Sequence, residues 1–139
     1  MPESKCTIAI VEDDASFRRA LERFLRASGF NVHTFASAEE FLGSAAPESY
    51  ACLILNIHLP GMSGFELVDR LTTSVPPPPV IFITAQDADT LRERASRISN
   101  SVFLSKPFPG RVLLEAVRSL LRPSGSCAES SGTESSALN

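Results

Sequence analysis

Paired cysteines, blocks of basic charge and long apolar runs are all missing from this 139-residue chain. Its three cysteines, Cys6, Cys52 and Cys127, form no Cys-x-x-Cys pair and have no histidine at metal-ligand spacing. That excludes a disulfide framework and a zinc site, and it suits a reducing compartment. Cys6 and Cys52 lie in apolar, strand-like runs and read as small core residues, whereas Cys127 reads as an exposed thiol. The N-terminus has no basic stretch leading into an apolar one, and no run approaches membrane-spanning length, so the expectation is an unexported, cytoplasmic protein without a membrane partner. The 13 Lys and Arg are scattered, with a net charge of -3 and a pI near 5.4. Nucleic acid would therefore be contacted only through a module that this chain does not carry. No internal repeat is evident.

What is present is a hydrophobic fraction of 43%, enough for one domain with a real core at this length. Strand-length apolar runs recur at Thr7 to Val11, Val32 to Phe35, Cys52 to Leu55, Val80 to Thr84 and Val102 to Leu104. Stretches with helical spacing separate them, which predicts five βα units. The predicted fold is α/β: a doubly wound, five-stranded parallel sheet covered by helices on both faces. From Pro123 to Asn139 the residues are mostly Ser, Gly, Ala and Glu with almost nothing to bury. This predicts a disordered tail or the stub of a linker.

The helices carry their own punctuation. The first is predicted over Ala15 to Ala27, with Phe17, Leu21, Phe24 and Leu25 inward and Gly29 as its stop. The second opens on Ser37-Ala38-Glu39-Glu40, a capping box, and buries Phe41 and Leu42. The third follows Ser63-Gly64 and buries Phe65, Leu67, Val68 and Leu71, before Pro76 to Pro79 carry the chain extended into the fourth strand. The fourth starts after an Asp87 cap and shows a thin stripe of Leu91, Ala95 and Ile98, which makes it the weakest helix. The last runs from about Pro109 to Leu121, with Val112, Leu113, Val117, Leu120 and Leu121 inward.

In a doubly wound sheet, sites form at the carboxyl ends of the strands where the strand order reverses. Here those ends hold Glu12-Asp13-Asp14, Asn56, Thr84 and Lys106-Pro107. Adjacent carboxylates repel unless a cation fills the gap, and hard oxygen ligands suit Mg²⁺. A hydroxyl and a lysine opposite them would steady the oxygens of a transferred phosphoryl group. Singly, each residue has an ordinary reading: Asp14 as a helix cap, Thr84 as a strand end, Lys106 as a solvated charge, Phe103 as core. Only their convergence on one edge points to a site.

With its ordered motifs Ile10-Val11-Glu12-Asp13-Asp14, Leu55-Asn56-Ile57-His58-Leu59-Pro60-Gly61-Met62-Ser63-Gly64, Ile81-Phe82-Ile83-Thr84-Ala85 and Phe103-Leu104-Ser105-Lys106-Pro107-Phe108, the chain resembles the receiver domain of two-component response regulators. The resemblance covers roughly residues 5 to 122, leaving 123 to 139 as the tail. It implies a flavodoxin-like (βα)5 receiver fold and a phosphoryl group accepted at position 56 from a sensor histidine kinase or phosphotransfer protein. Asp13 would ligate Mg²⁺ directly, Glu12 through water, and residue 56 and the backbone carbonyl of His58 would complete the protein's share. Thr84 and Lys106 would contact the phosphoryl group, Phe103 would be the aromatic switch, and Pro107 the proline that is typically cis. The side chains of His58 and Gln86 would lie on the rim. Output would pass through the face made by the fourth helix, fifth strand and fifth helix, which could also form a homodimer.

The departure is Asn56. A carboxamide has no anionic oxygen to attack phosphorus, so an acyl-phosphate should not form there. With an aspartate the pocket would hold three carboxylates against Lys106; with asparagine it holds two. Mg²⁺ should therefore bind more weakly. Two origins fit the otherwise complete motif set: a deliberate Asp-to-Asn replacement, or a natural receiver that retained the pocket for another signal. A phosphorylation-independent interaction module is the alternative function. An aspartate-nucleophile phosphatase would need an acid two residues after Asp13, where Ala15 stands. A flavin binder would want a Ser/Thr/Gly-rich phosphate loop in place of Glu12 to Asp14.

Overall fold

The computed structural model describes residues 7–44, 49–71, 78–85, 89–98 and 100–121. Ten elements alternate along them: β1 (Thr7–Val11), α1 (Ala15–Ala27), β2 (Asn31–Phe35), α2 (Ala38–Leu42), β3 (Cys52–Asn56), α3 (Gly64–Leu71), β4 (Val80–Thr84), α4 (Asp89–Ser96), β5 (Ser101–Ser105) and α5 (Gly110–Leu121). All strand pairs are parallel, in the order β2-β1-β3-β4-β5. This is the flavodoxin-like, doubly wound arrangement expected from the alternation of apolar runs. The order reverses at β1, so the crevice between the carboxyl ends of β1 and β3 is where a site can form.

Alternation along each strand splits the core in two. Ile8, Ile10, Ile54, Ile81 and Ile83 face one side, against Leu21 and Leu25 of α1 and Leu113, Val117 and Leu121 of α5. Ala9, Val11, Leu53, Leu55, Val80 and Phe82 face the other, against Phe41 of α2, Phe65, Leu67 and Val68 of α3, and Ala95 of α4. Every residue of β1 and β4 is buried, as central parallel strands require. Burying one such side chain contributes about 1.5–3 kcal/mol, so the two layers together carry most of the driving force.

The helix ends follow the local chemistry. Asp14 caps α1, its side chain accepting from the N–H groups of Ser16 at 3.0 Å and Phe17 at 3.3 Å. At the other end Gly29 adopts a positive φ of 99°. Ser37 accepts from Glu40 N–H at 3.0 Å, but the Glu40 carboxylate reaches back to Ala36 N–H, at 2.7 Å, rather than to Ser37. A fully reciprocal capping box occurs instead at α3, where Ser63 and Glu66 exchange bonds of 3.1 and 3.0 Å. On α5, Leu113, Val117 and Leu121 are buried as expected, Leu120 packs half-buried on the same layer, Val112 is half-buried, and Leu114 and Ala116 widen the buried face. The thin stripe of α4 leaves Ala95 as its one buried residue. The expectations for Cys6, Cys127, Gln86, the Asp87 cap, Pro76, Pro77 and the tail over 123–139 fall outside the described residues.

One glycine ties the fold to the crevice. Gly64 opens α3, and its N–H donates to Ile57 O at 2.9 Å. A Cβ there would meet Asn56 O at 2.8 Å and Ile57 Cα at 3.2 Å, both backbone atoms that cannot swing aside. Gly64→Ala is therefore expected to destabilise the protein by about 1–3 kcal/mol through overpacking. Urea denaturation followed by circular dichroism checks this, and an unchanged midpoint would show that the strand end yields freely.

Candidate functional site

The crevice is built by the first residues past each strand. Beyond β1, Glu12 turns back under the sheet and is 2% exposed, whereas Asp13 and Asp14 are exposed. Glu12 N–H donates to Phe35 O at 3.0 Å, which fixes the turn, and the Arg18 guanidinium donates to Glu12 O at 2.8 Å from α1. Asn56 ends β3, half-buried and beside Glu12 and Asp13. Its backbone neighbour Ile57 donates to Ile83 O at 2.9 Å, and Lys106 N–H donates to Thr84 O at 2.8 Å. The ends of β3, β4 and β5 are thus laced together by main-chain bonds.

The Asn56 side chain uses nearly all of its capacity. Nδ2 donates to Glu12 Oε2 and to Asp13 Oδ1, both at 3.2 Å, while Oδ1 accepts from His58 N–H at 3.0 Å. The orientation follows from charge: turned over, the amide oxygen would face two carboxylates and its NH2 would face an N–H donor. Glu12 Oε2 also accepts from Asp14 N–H at 3.0 Å. Burial pushes the Glu12 carboxyl above its ordinary value; the Asp14 N–H, the Lys106 charge and the Asn56 amide pull it back in part.

The remaining predicted residues are placed less uniformly. Thr84 is fully buried at the end of β4. Phe103 is half-buried on the α4 side of β5, and the Arg92 guanidinium carbon lies 4.6 Å from its ring centroid. The Lys106–Pro107 peptide bond is cis. The His58 side chain is exposed. Lys106, expected to contact a phosphoryl group at position 56, places Nζ 4.0 Å from the centroid of the Phe17 ring, close enough to the crevice for its charge to act on Glu12. Among the described residues it makes no ion pair with Glu12 or Asp13. Glu12 Oε2 is served by a backbone and an amide hydrogen and Asp13 Oδ1 by the same amide, which lowers the pull of the carboxylates on the ammonium.

As a cation site the crevice is incomplete. Among the described residues no three His, Cys, Asp or Glu side chains group together. Glu12 and Asp13 offer hard oxygens, but the gap between them is filled by the Asn56 NH2, which presents hydrogens rather than a lone pair. With two carboxylates and an amide NH2 between them, the donor set is poorer for a dication than one with a third carboxylate would be.

Three contributors escaped the sequence. Arg18 and Phe17 act across a turn of α1, and nothing in their spacing from Glu12 or Lys106 marks them. The Ser63-x-x-Glu66 box could have been found from its pattern alone.

Glu12→Gln tests what the buried charge does to stability. Because the folded state raises the Glu12 pKa, its contribution is favourable when protonated and is lost as pH rises through the folded value. Glutamine keeps an acceptor and removes the charge, so the melting temperature should rise by a few degrees at neutral pH and the gain should shrink in mild acid. A thermal melt at both pH values decides it; equal or lower stability at neutral pH would contradict the reading.

Comparison with known proteins follows the same positions. Residues 8–118 match the response regulator receiver domain. Nodulation protein W of Bradyrhizobium diazoefficiens is 40% identical over 114 residues, covering 82% of this chain and 50% of that protein. The transcriptional regulatory protein FixJ of the same organism is 30% identical over 127 residues, covering 91% of this chain and 62% of that one. The chain spans about half the length of the first of these curated relatives. Among solved structures, the response regulator receiver protein from Burkholderia phymatum superposes with a TM-score of 0.71 at 39% identity, covering 84% of this chain and 94% of that one. Among the described residues no helix is long and apolar enough to cross a membrane.

Proposed function

Because the chain belongs to the response regulator receiver family of two-component signalling, we propose that it is a receiver whose phosphoryl input is disconnected at Asn56. The carrying observation is the Asn56 carboxamide, which stands at the acceptor position with Nδ2 bonded to Glu12 and Asp13 and Oδ1 to His58 N–H. It has no nucleophilic oxygen. The self-catalysed phosphotransfer and dephosphorylation of the family are lost with it. We take the receiver unit to run over residues 5–122, with 123–139 as a tail or linker stub.

Receiver domains interact with histidine kinases or phosphotransfer proteins and bind Mg²⁺ at an acidic pocket. In this chain such a partner docks without delivering phosphate. Mg²⁺ is held weakly, since Glu12, Asp13 and the His58 carbonyl must act without a third carboxylate and against an amide NH2 already in the gap. Output runs through the α4-β5-α5 face, where Phe103 sits under Arg92, and a homodimer through that face is the simplest assembly. The state of this face is set by binding partners rather than by phosphorylation. The setting is cytoplasmic, and any contact with nucleic acid belongs to a module outside this chain.

The experiment is incubation with acetyl phosphate and Mg²⁺, read by intact mass, on the Asn56 protein and on Asn56→Asp. Only Asn56→Asp should gain one hydroxylamine-labile phosphoryl group. A labile phosphate on the Asn56 protein would overturn the disconnected-input reading, and its absence from both would overturn the receiver chemistry itself.

A further inference from the structure

We propose that Phe17 is a positioning residue for Lys106: a ring that holds the ammonium at the edge of the crevice and competes for it with any anion bound at position 56. The proposal rests on the receiver reading for its functional consequence, but its structural half stands alone. Phe17 occupies the first turns of α1, half-buried, with no role in the predicted site. The Lys106 Nζ lies 4.0 Å from its centroid, well inside the range over which an ammonium is attracted to the negative face of an aromatic quadrupole. The ring does not meet the lysine by accident of a loose loop. Phe108, two residues further on, meets Phe17 edge-on, with centroids 6.4 Å apart and planes at 72°. Both rings border the core layer under α1 and α5. One segment therefore contacts Phe17 twice: Phe108 sets the orientation of the ring, and Lys106 takes its face.

The charges around the crevice explain why this contact wins. Glu12 Oε2 already accepts from Asp14 N–H and Asn56 Nδ2, and Asp13 Oδ1 from the same amide. A lysine entering the crevice would add a further donor to acceptors that are partly satisfied, and would leave the ring. With a third carboxylate or a phosphoryl-like anion at position 56, the balance reverses and Lys106 must abandon Phe17 to reach it. The strength of the ring contact is then subtracted from the binding of that anion.

Two measurements separate this from a purely structural role for Phe17. In the Asn56 protein, the Lys106 side-chain methylene protons should be shifted upfield in the NMR spectrum by the ring above them, and Phe17→Leu should abolish the shift while Phe17→Tyr preserves it. In the Asn56→Asp background, beryllofluoride with Mg²⁺ should bind roughly two- to thirty-fold more tightly when Phe17→Leu is added, the span that one ammonium–ring contact supplies. Phe17→Tyr should restore the weaker binding. Unshifted Lys106 protons, or equal beryllofluoride affinity for the Leu and Phe forms, would overturn the proposal. Failure of Asn56→Asp to bind beryllofluoride at all would sink the receiver reading instead, leaving the NMR result to stand or fall by itself. Should Phe17→Leu prove too unstable to assay, Phe17→Met, which keeps volume without a ring, takes its place in both measurements.

Discussion

Two carboxylates held side by side at the end of β1 need positive charge or donated hydrogens between them, and in this chain one carboxamide supplies the hydrogens. Isolated, Glu12 and Asp13 would repel and Glu12 would pay the full penalty of burial. Asn56 Nδ2 bridges both, and its own oxygen is anchored by His58 N–H. The loops after β1 and β3 are thereby fixed relative to one another. The turn after β1 cannot move without breaking bonds to β3, and the β3 loop cannot move without disturbing Gly64, packed against the backbone of Asn56. Through Gly64 the start of α3 is coupled as well. A single neutral side chain organises the crevice from which the site is built.

The crevice in turn sets the charge balance on its far wall. With both carboxylates served, Lys106 settles on Phe17 rather than at position 56. The β5–α5 connection is then steadied by two ring contacts, and the main-chain bond from Lys106 to Thr84 holds the end of β5 level with β4. Signal transfer in such a fold requires these strand-end residues to change partners. Here each already has a partner that does not depend on phosphate. The α4 helix has one buried residue, the fewest of the five helices, and it carries the Arg92 that covers Phe103.

Much of this was legible in the residues. The strands β1 and β4 and the helix α1 agree in extent with the apolar runs and caps, because central parallel strands are uniformly apolar and Asp14 and Gly29 punctuate α1 strongly. The grouping of Glu12, Asp13 and Asn56 was also readable, since strand ends in a doubly wound sheet converge by topology. What could not be read were contacts made by side-chain direction. The position of Lys106 depends on a competition between a ring and an anion that differ by little in free energy. The α5 face is wider than its expected stripe: Leu113, Val117 and Leu121 are buried as expected, and Leu114 and Ala116 join them through packing that spacing alone does not show.

The retained pocket bears on how Asn56 should be understood. From sequence, Glu12, Asp13, Thr84 and Lys106 beside an asparagine at position 56 fit a deliberate replacement or a natural receiver that kept the pocket for another signal. The structure adds a third account, because Glu12, Asp13 and Lys106 also have local tasks. Glu12 accepts the Asp14 N–H that shapes the β1 turn, and Asp13 shares the amide of Asn56. Thr84 O receives the Lys106 N–H, and the Lys106 side chain covers Phe17. Substituting Glu12, Asp13 or Lys106 would leave a donor or an apolar ring without its partner, whereas the bond between Thr84 and Lys106 is main-chain and survives a change of side chain. Glu12, Asp13 and Lys106 thus each have a role in the fold that involves no phosphate. Glu12 shows both sides of this balance: burial pushes its carboxyl above the ordinary value, while the bonds it accepts from Asp14 N–H and Asn56 Nδ2 hold the turn after β1.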